Sequence, residues 1–398
     1  MKDLPIELIS VVVENISSTS DLVSLRSVNS TCHHFVTPHL FRKIHIHNSV
    51  QSAQKCRSII DSPSLAPHVR EVVYDPRDHA QFCLLPPGTQ GKSFMKRFSF
   101  TKQLILSTGV CDELEIAELE DALTETLCAL PGFKNLESVV LNFWPSFRSQ
   151  SGTEIQEHPF WFTNRQVTVL HAVHYALKSS CIRSLTLNNV VLMSSACYDF
   201  VSSVTNSPLH HFSMSIVANS ELGAWSGSKA LNGSISSLLP VSNANLKSLV
   251  LRSPQGLYHS LNTQLRSSNY PGLETLVLEN IVFDPTPSVD GIEDFIVRHK
   301  ASLRRLELHS CSSYVPSIST PIRRWSTIWN RLEEELVSLT EIVVDDAHQG
   351  YTLLDGPSGY IPHPALPVTP TELVQDEDLY TQFSDRVNLR SVLAKTRP

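Results

Sequence analysis

One apolar rhythm recurs along most of this chain: an apolar residue, two others, an apolar residue, one other, an apolar residue. It reads Val69-x-x-Val72-x-Tyr74, Leu136-x-x-Val139-x-Leu141, Ile182-x-x-Leu185-x-Leu187 and Leu209-x-x-Phe212-x-Met214. It returns as Leu246-x-x-Leu249-x-Leu251, Leu273-x-x-Leu276-x-Leu278, Leu303-x-x-Leu306-x-Leu308 and Leu339-x-x-Ile342-x-Val344. The last two positions of each phrase alternate as in a strand, which predicts a short strand with both side chains on one face. Helical spacing fills several of the gaps. Val167, Leu170, Val173 and Leu177 share one side of a stretch over 167–177, and further helices are predicted over 291–298 and 325–336. The expected class is therefore α/β, a repeated alternation of strand, connection and helix. Phrase starts lie 27 to 67 residues apart, so the repeat is irregular.

The first 46 residues follow a different pattern. Pro5 suits the start of a helix, and from Ile6 to Ile16 the apolar positions are Ile6, Leu8, Ile9, Val11, Val12, Val13 and Ile16. Glu7, Ser10 and Glu14 leave only a narrow polar stripe, so this helix wants burial on most of its circumference. A second helix is expected from Ser20-Asp21, presenting Leu22, Leu25 and Val28. A third follows Asn29-Ser30, turns Phe35 inward and ends near Pro38. Three helices of this size bury little surface among themselves. By spacing alone, the surplus belongs either against the rest of the chain or in a partner's groove.

Two stretches interrupt the rhythm. Residues 76–100, with Pro86-Pro87-Gly88, read as a long loop, and 345–375, with prolines between Pro357 and Pro370, as an extended excursion. A final amphipathic stretch, carrying Leu379, Phe383 and Val387, is expected to cover the open end of the strand array.

Composition narrows the class. Hydrophobic residues make up 41% and charged residues 18%, which fits a folded chain. The net charge of −7 gives no general field for nucleic acid. The eight cysteines are scattered singly with no Cys-x-x-Cys pair, as expected of reduced thiols in a cytoplasmic or nuclear protein. Asp3, Glu7 and Glu14 around Val11-Val12-Val13 exclude a signal peptide or a membrane span there.

Motifs for chemistry are weak. Gly91-Lys92-Ser93 has Pro86 where a phosphate-binding loop needs glycine, and Gly223-Ala224-Trp225-Ser226-Gly227 has one residue too many for a serine elbow. His171 and His174, with Tyr175 adjacent, lack further metal ligands, and His45 and His47 share a strand face without an acid beside them in sequence. The acidic run Asp112, Glu113, Glu115, Glu118, Glu120 and Asp121 reads as the wet side of a helix whose other side carries Leu114, Ile116, Leu119 and Leu123. The aromatics Trp144, Phe147, Phe160, Trp161 and Phe162 flank a polar loop and stand as packing residues or binding anchors.

The N-terminal segment carries a specific phrase: Leu4-Pro5 at the start, Asp21-Leu22, then Leu25-Arg26-x-Val28 and Phe35. Over residues 2–46 this resembles an F-box, with Phe35 where many members carry Trp. The irregular phrases behind it, the Ile59–Arg70 link and Cys311 in the repeat's Asn/Cys slot resemble the fungal F-box proteins with divergent leucine-rich repeats. The resemblance implies three parts: an F-box over 1–46, an irregular leucine-rich-repeat-like solenoid over 47–344, and a proline-rich excursion with a capping helix over 345–398. It also implies a non-catalytic, cofactor-free substrate receptor of an SCF-type ubiquitin ligase. Such a receptor docks a Skp-type adaptor, and through it a cullin–RING ligase, by Leu4, Pro5, Leu8, Ile9, Val12, Leu22, Leu25 and Val28. A scaffold acting outside a complete ligase is the alternative.

Overall fold

The computed structural model describes residues 5–75, 113–143, 160–179, 181–191, 198–217, 238–252, 265, 268–283, 291–315, 324–344, 359–362 and 378–396. The chain divides into two compact units, Met1–Pro145 with Asn164–Ile182, and Ser146–Thr163 with Arg183–Pro398. The stretches 76–100 and 345–375, the motifs at 91–93 and 223–227 and the aromatics Trp144 and Phe147 lie outside the described residues, except for a short strand at 359–362.

The first unit opens with three helices, α1 (Ile6–Glu14), α2 (Thr19–Arg26) and α3 (Ser30–Leu40). They lead into strand β1 (Lys43–His47), helix α4 (Val50–Ile60) and strand β2 (Glu71–Asp75). Helix α5 (Glu113–Cys128), strand β3 (Ser138–Asn142) and helix α6 (Phe160–Ser179) complete it. The strands lie in the order β1, β2, β3, all parallel. Register stacks the phrases rung on rung, Val72 opposite Val139 and Tyr74 opposite Leu141. On the other side of β2, Ile44 meets Val72 and Ile46 meets Tyr74. Phe41-x-x-Ile44-x-Ile46 is thus a further phrase of the same rhythm. A boundary at residue 46 would cut through β1.

Where its side chains are described, from Glu118 on, the acidic run follows its pattern in part, Glu120 being half-buried. On α5, Leu119, Leu123 and Leu127 are buried, while Glu118 and Asp121 face out. Thr126 donates its hydroxyl to the Ala53 carbonyl at 3.1 Å, which ties α5 to α4. After α5, Leu130–Gly132 makes a 3-10 turn, and glycine is required at its end because a Cβ there would stand 2.6 Å from Cγ2 of Ile60.

The second unit contains strands β4 (Ser184–Val191), β5 (His211–Val217), β6 (Ser248–Arg252) and β7 (Thr275–Glu279). It continues with β8 (Val282–Phe283), β9 (Arg305–His309), β10 (Ser312–Val315), β11 (Glu341–Val344) and β12 (Gly359–Pro362). Its helices are α7 (Tyr198–Asn206), α8 (Ile292–Arg298), α9 (Trp325–Glu335) and α10 (Asp378–Lys395). Strands β4, β5, β6, β7, β9 and β11 lie side by side in that order, all parallel. Leu185, Phe212, Leu249, Leu276, Leu306 and Ile342 form one continuous row, with Leu187, Met214, Leu251, Leu278, Leu308 and Val344 forming the next. Both rows are buried. A second, parallel three-stranded sheet follows the order β12, β10, β8.

Left-handed residues follow three of the phrases: Asn189, Asn280 and Ser310 have φ of 59°, 55° and 49°, each two residues past the last apolar position of its phrase. Asn280 and Ser310 turn the chain from β7 to β8 and from β9 to β10, whereas Asn189 lies within β4 at the register shift between Leu187 and Val190. The next residue, Val190, Ile281 or Cys311, is buried. The corners at Asn280 and Ser310 interlock: Asn280 N–H donates to the His309 carbonyl at 2.8 Å, and Ser312 N–H to the Ile281 carbonyl at 3.0 Å. Asparagine tolerates this conformation better than other side chains, because its short amide satisfies neighbouring backbone. Gly272, before β7, sits close to the neighbouring rung: a Cβ there would meet the Ala244 carbonyl oxygen at 3.1 Å, a tight contact that the backbone would have to relieve by a few tenths of an ångström.

Helix α10 packs on α9 and β11, and Val387 of the expected stripe does not take part. Val387 is exposed, while Leu389 and Val392 are buried. The side chains of Leu379 and Phe383 are outside the described set. Asp385 sets the orientation: its carboxylate accepts the Ser326 N–H at 2.6 Å at the start of α9, and Asn388 donates to the Ser326 carbonyl at 3.2 Å. Trp325 and Trp329 stack beneath, ring centroids 5.0 Å apart.

One buried histidine links packing to pH. His299 Nε2 accepts the Tyr270 N–H at 2.9 Å, so Nδ1 carries the proton and donates to the Phe295 carbonyl at 2.7 Å. Burial lowers its pKa below the ordinary 6.5, against the opposing pull of that carbonyl, and Arg298 lowers it further. Below pH 6.5 the unfolded chain therefore takes up a proton that the folded chain refuses, and stability falls as pH falls. The urea midpoint of the wild type should drop from pH 7.5 to pH 5.5, and His299→Gln should flatten that slope. At the corner, Asn280→Val should cost about 1–2 kcal/mol in the same assay and Asn280→Gly only a few tenths, because only the first forces a branched side chain into positive φ.

Candidate partner-docking face

The three N-terminal helices build their own small core. Val13, Leu22 and Val36 are buried together, with Ile9, Ile16, Leu25, Phe35 and Leu40 packed around them. Helix α3 packs against both α1 and α2. On α1 the inward residues are Ile9 and Val13, one turn apart, and Ile16 joins them from just beyond the end of the helix.

Local capping fixes where each helix starts. Pro5 stands at the N-cap of α1 with extended backbone, and its carbonyl accepts the N–H groups of Leu8 and Ile9 at 3.0 and 3.2 Å. Ser18 caps α2 by accepting the Asp21 N–H at 3.4 Å, and Asn29 caps α3 by accepting the Cys32 N–H at 2.7 Å. Helix α3 runs through Pro38 to Leu40 rather than stopping at the proline. A proline's missing N–H and its ring disturb the preceding turn. Here the preceding turn is held by Thr37, whose hydroxyl donates to the His33 carbonyl at 2.6 Å and accepts Arg26 Nε at 3.1 Å. The Arg26 guanidinium also lies 5.4 Å from the Phe41 ring centroid, so α2 is clamped to the end of α3.

With Ile9 and Val13 turned inward, Leu8, Val11 and Val12 of α1 are left in solvent. Leu8, Val11, Val12, Val23 and Val28 are each between 49% and 52% exposed. Nine large hydrophobics are exposed among the described residues, and these five fall within the first 28. Leu8, Val11 and Val12 are i, i+3, i+4 neighbours on α1. Glu7 and Glu14 are exposed on the same helix.

The nominated residues divide accordingly. Leu8, Val12 and Val28 face out, and Pro5 is exposed. Ile9 and Leu25 are half-buried against the module core. Leu22 is 9% exposed and belongs to that core, so it supports the outer face from beneath rather than forming it. Leu4 lies outside the described residues. Val11 and Val23 join the exposed set without having been nominated. Val11 was legible as the i+3 neighbour of Leu8, whereas nothing in the sequence separates Val23 from Leu22.

The other candidates are surface features. His171 and Tyr175 are exposed on α6, with centroids of the two histidines 6.0 Å apart and His174 4.8 Å from Tyr175. His45 and His47 do share a face of β1, stacked at 6.2 Å, and burial followed by Lys43 holds the His45 pKa below 6.5. Among the described residues no group of three or more His, Cys, Asp or Glu is arranged to hold a metal, and no helix is long and apolar enough to cross a membrane. Cys32, Cys56 and Cys311 are buried free thiols, and burial pushes the Cys56 thiol up to about 12. The chain matches no protein-family model and no curated protein.

The division between core and outer face has a direct consequence. Leu22→Ala should cost about 2–5 kcal/mol in urea unfolding, as for a buried leucine. Leu8→Glu and Val12→Glu, at exposed positions, should each stay within about 0.5 kcal/mol of wild type.

Proposed function

We propose that this chain is the target-recognition subunit of an SCF-type E3 ubiquitin ligase, acting in the cytoplasm or nucleus. The observation that carries the proposal is the exposed apolar set Leu8, Val11, Val12, Val23 and Val28 on helices whose inner core is already closed. Apolar surface concentrated in this way favours a protein partner over a solvated face. The Leu-Pro, Asp-Leu and Leu-Arg-x-Val phrases name that partner as a Skp-type adaptor. The parallel strands, with left-handed residues after three of the phrases, support reading the rest as an irregular leucine-rich-repeat-like solenoid.

In this reading the chain does no covalent chemistry. The helices dock the adaptor, the strand array holds a target, and tethering raises the effective concentration of target lysines near the charged ubiquitin-conjugating enzyme. A scaffold role outside the complete ligase shares the adaptor interface. Cullin co-purification separates the two.

Co-expression with a Skp-type adaptor followed by size-exclusion chromatography tests the proposal. The wild type should co-elute 1:1, and Leu8→Glu/Val12→Glu should elute alone while keeping its wild-type unfolding midpoint. Co-elution retained by the folded double variant would remove this face as the interface. Failure of the wild type to bind would remove the ligase reading.

A further inference from the structure

The exposed side of α2 carries serines on both flanks of Val23. Ser20 stands three residues before it, and Ser24 and Ser27 stand one and four residues after it, all three exposed. Residues three or four apart share one face of a helix, with Cβ atoms about 5–6 Å apart, so Ser20 and Ser27 border Val23 from opposite ends.

The three hydroxyls are not equivalent. Ser24 donates its hydroxyl to the Ser20 carbonyl at 2.9 Å, and Ser27 donates to the Ser24 carbonyl at 2.7 Å, so both are turned onto the helix backbone. Ser27 also stands at the C-cap, where the helix dipole disfavours an anion. The Ser20 hydroxyl instead meets another hydroxyl, that of Ser18, at 2.8 Å. Ser20 is the second residue of α2, inside the first turn, where N–H groups without helical partners favour negative charge. A doubly charged group on Ser20 is therefore compatible with the helix that bears it.

The surroundings offer such a charge little to neutralise it. In residues 1–25, Lys2 is the one Lys or Arg against Asp3, Glu7, Glu14 and Asp21, a balance of 1 minus 4, or −3. Arg26, the next cation, is engaged elsewhere: its Nε donates to Thr37 at 3.1 Å and its guanidinium lies 5.4 Å from the Phe41 ring centroid. Asp21 directly follows Ser20, so the segment suits a kinase that reads acidic rather than basic neighbours.

We propose that Ser20 is a phosphorylation site that switches the docking face off. The inference rests on the adaptor-docking reading above and adds its regulation. An acid-directed serine/threonine kinase transfers the γ-phosphoryl group of ATP. The bond from Ser20 Oγ to phosphorus forms as the bond to the bridging oxygen breaks; ADP leaves, and the hydroxyl proton passes to the kinase's base. The product places a charge of about −1.5 to −2 one helical turn from Val23. Beside acids and at an apolar contact, such a group acts by like-charge repulsion and desolvation. The face that includes Val23 then loses its affinity for an apolar groove.

The test uses the full chain. Treated with an acid-directed kinase and MgATP, the wild type should take up phosphate at Ser20 and not at Ser24 or Ser27, as located by tandem mass spectrometry. Chain carrying genetically encoded phosphoserine at position 20 should bind the Skp-type adaptor more weakly than unmodified chain by about tenfold or more in a calorimetric titration. Its unfolding midpoint should be no lower than that of the wild type. Phosphoserine at the exposed Ser202, on α7, should leave binding unchanged. Absence of phosphate from Ser20, undiminished binding by the phosphoserine-20 chain, an equal loss from phosphoserine at 202, or a lowered midpoint would each overturn the proposal. If the unmodified chain fails to bind, the docking reading falls and the switch falls with it. A failure confined to the phosphoserine-20 chain overturns the switch alone and leaves docking intact.

Discussion

Everything in the second unit hangs on the parallel register that sets the last two apolar residues of one phrase beside those of the next. From β4 to β11 the two buried rows continue across six strands without a slip, and only β4 shows an irregularity, between Leu187 and Val190. A slip of one residue would turn both rows to the opposite face. That sensitivity gives the register its strength. The corners at Asn280 and Ser310 then follow from it, because chains leaving neighbouring rungs in step can bond corner to corner.

Once one face of the strands is committed to the core, most of the alternate positions are half-buried or exposed, with Ser213 and Val250 among the buried exceptions. The polar residues there are organised across strands rather than along them. Lys247 with Glu274, Arg252 with Glu279 and Arg305 with Glu341 each join one strand to the next. On β9, Glu307 binds both Arg305 and His309; burial opposes ionisation, yet these two partners hold its carboxyl below the usual range. Such exposed pairs add little stability singly.

Much of this was legible because the strand signal is local. All eight phrases read from the sequence became strands, and the helices expected over 167–177, 291–298 and 325–336 lie within or along α6, α8 and α9. A strand was read around Ile46, but the phrase at Phe41, Ile44 and Ile46 was not counted with the other eight because it falls within the N-terminal 46 residues set apart by their F-box resemblance. What could not be read was the choice of face on elements that are apolar nearly all round. On α1 the sequence offers Leu8, Val11 and Val12 as readily as Ile9 and Val13. The inward set is chosen by α3, a tertiary partner. The same holds on α10, where Asp385 bonding the Ser326 backbone selects Leu389 and Val392 over Val387.

The burial of Leu22 changes what the N-terminal helices mean energetically. A module that had to use Leu22 for docking would have an open core when alone and would fold on its partner. Here Val13, Leu22 and Val36 close that core first, and Thr37, Arg26 and Phe41 clamp α2 to α3 from outside it. The outer face is therefore preorganised, so little ordering entropy opposes docking. The half-exposed Leu8, Val11 and Val12 can gain the full benefit of burial, about 25 cal/mol for each Å² of apolar surface removed from water. Sequence pattern alone could not separate an inward docking stripe from an outward one. The closed inner core does: it turns Ile9 and Val13 inward and leaves Leu8, Val11 and Val12 in solvent, the surface on which the docking proposal rests.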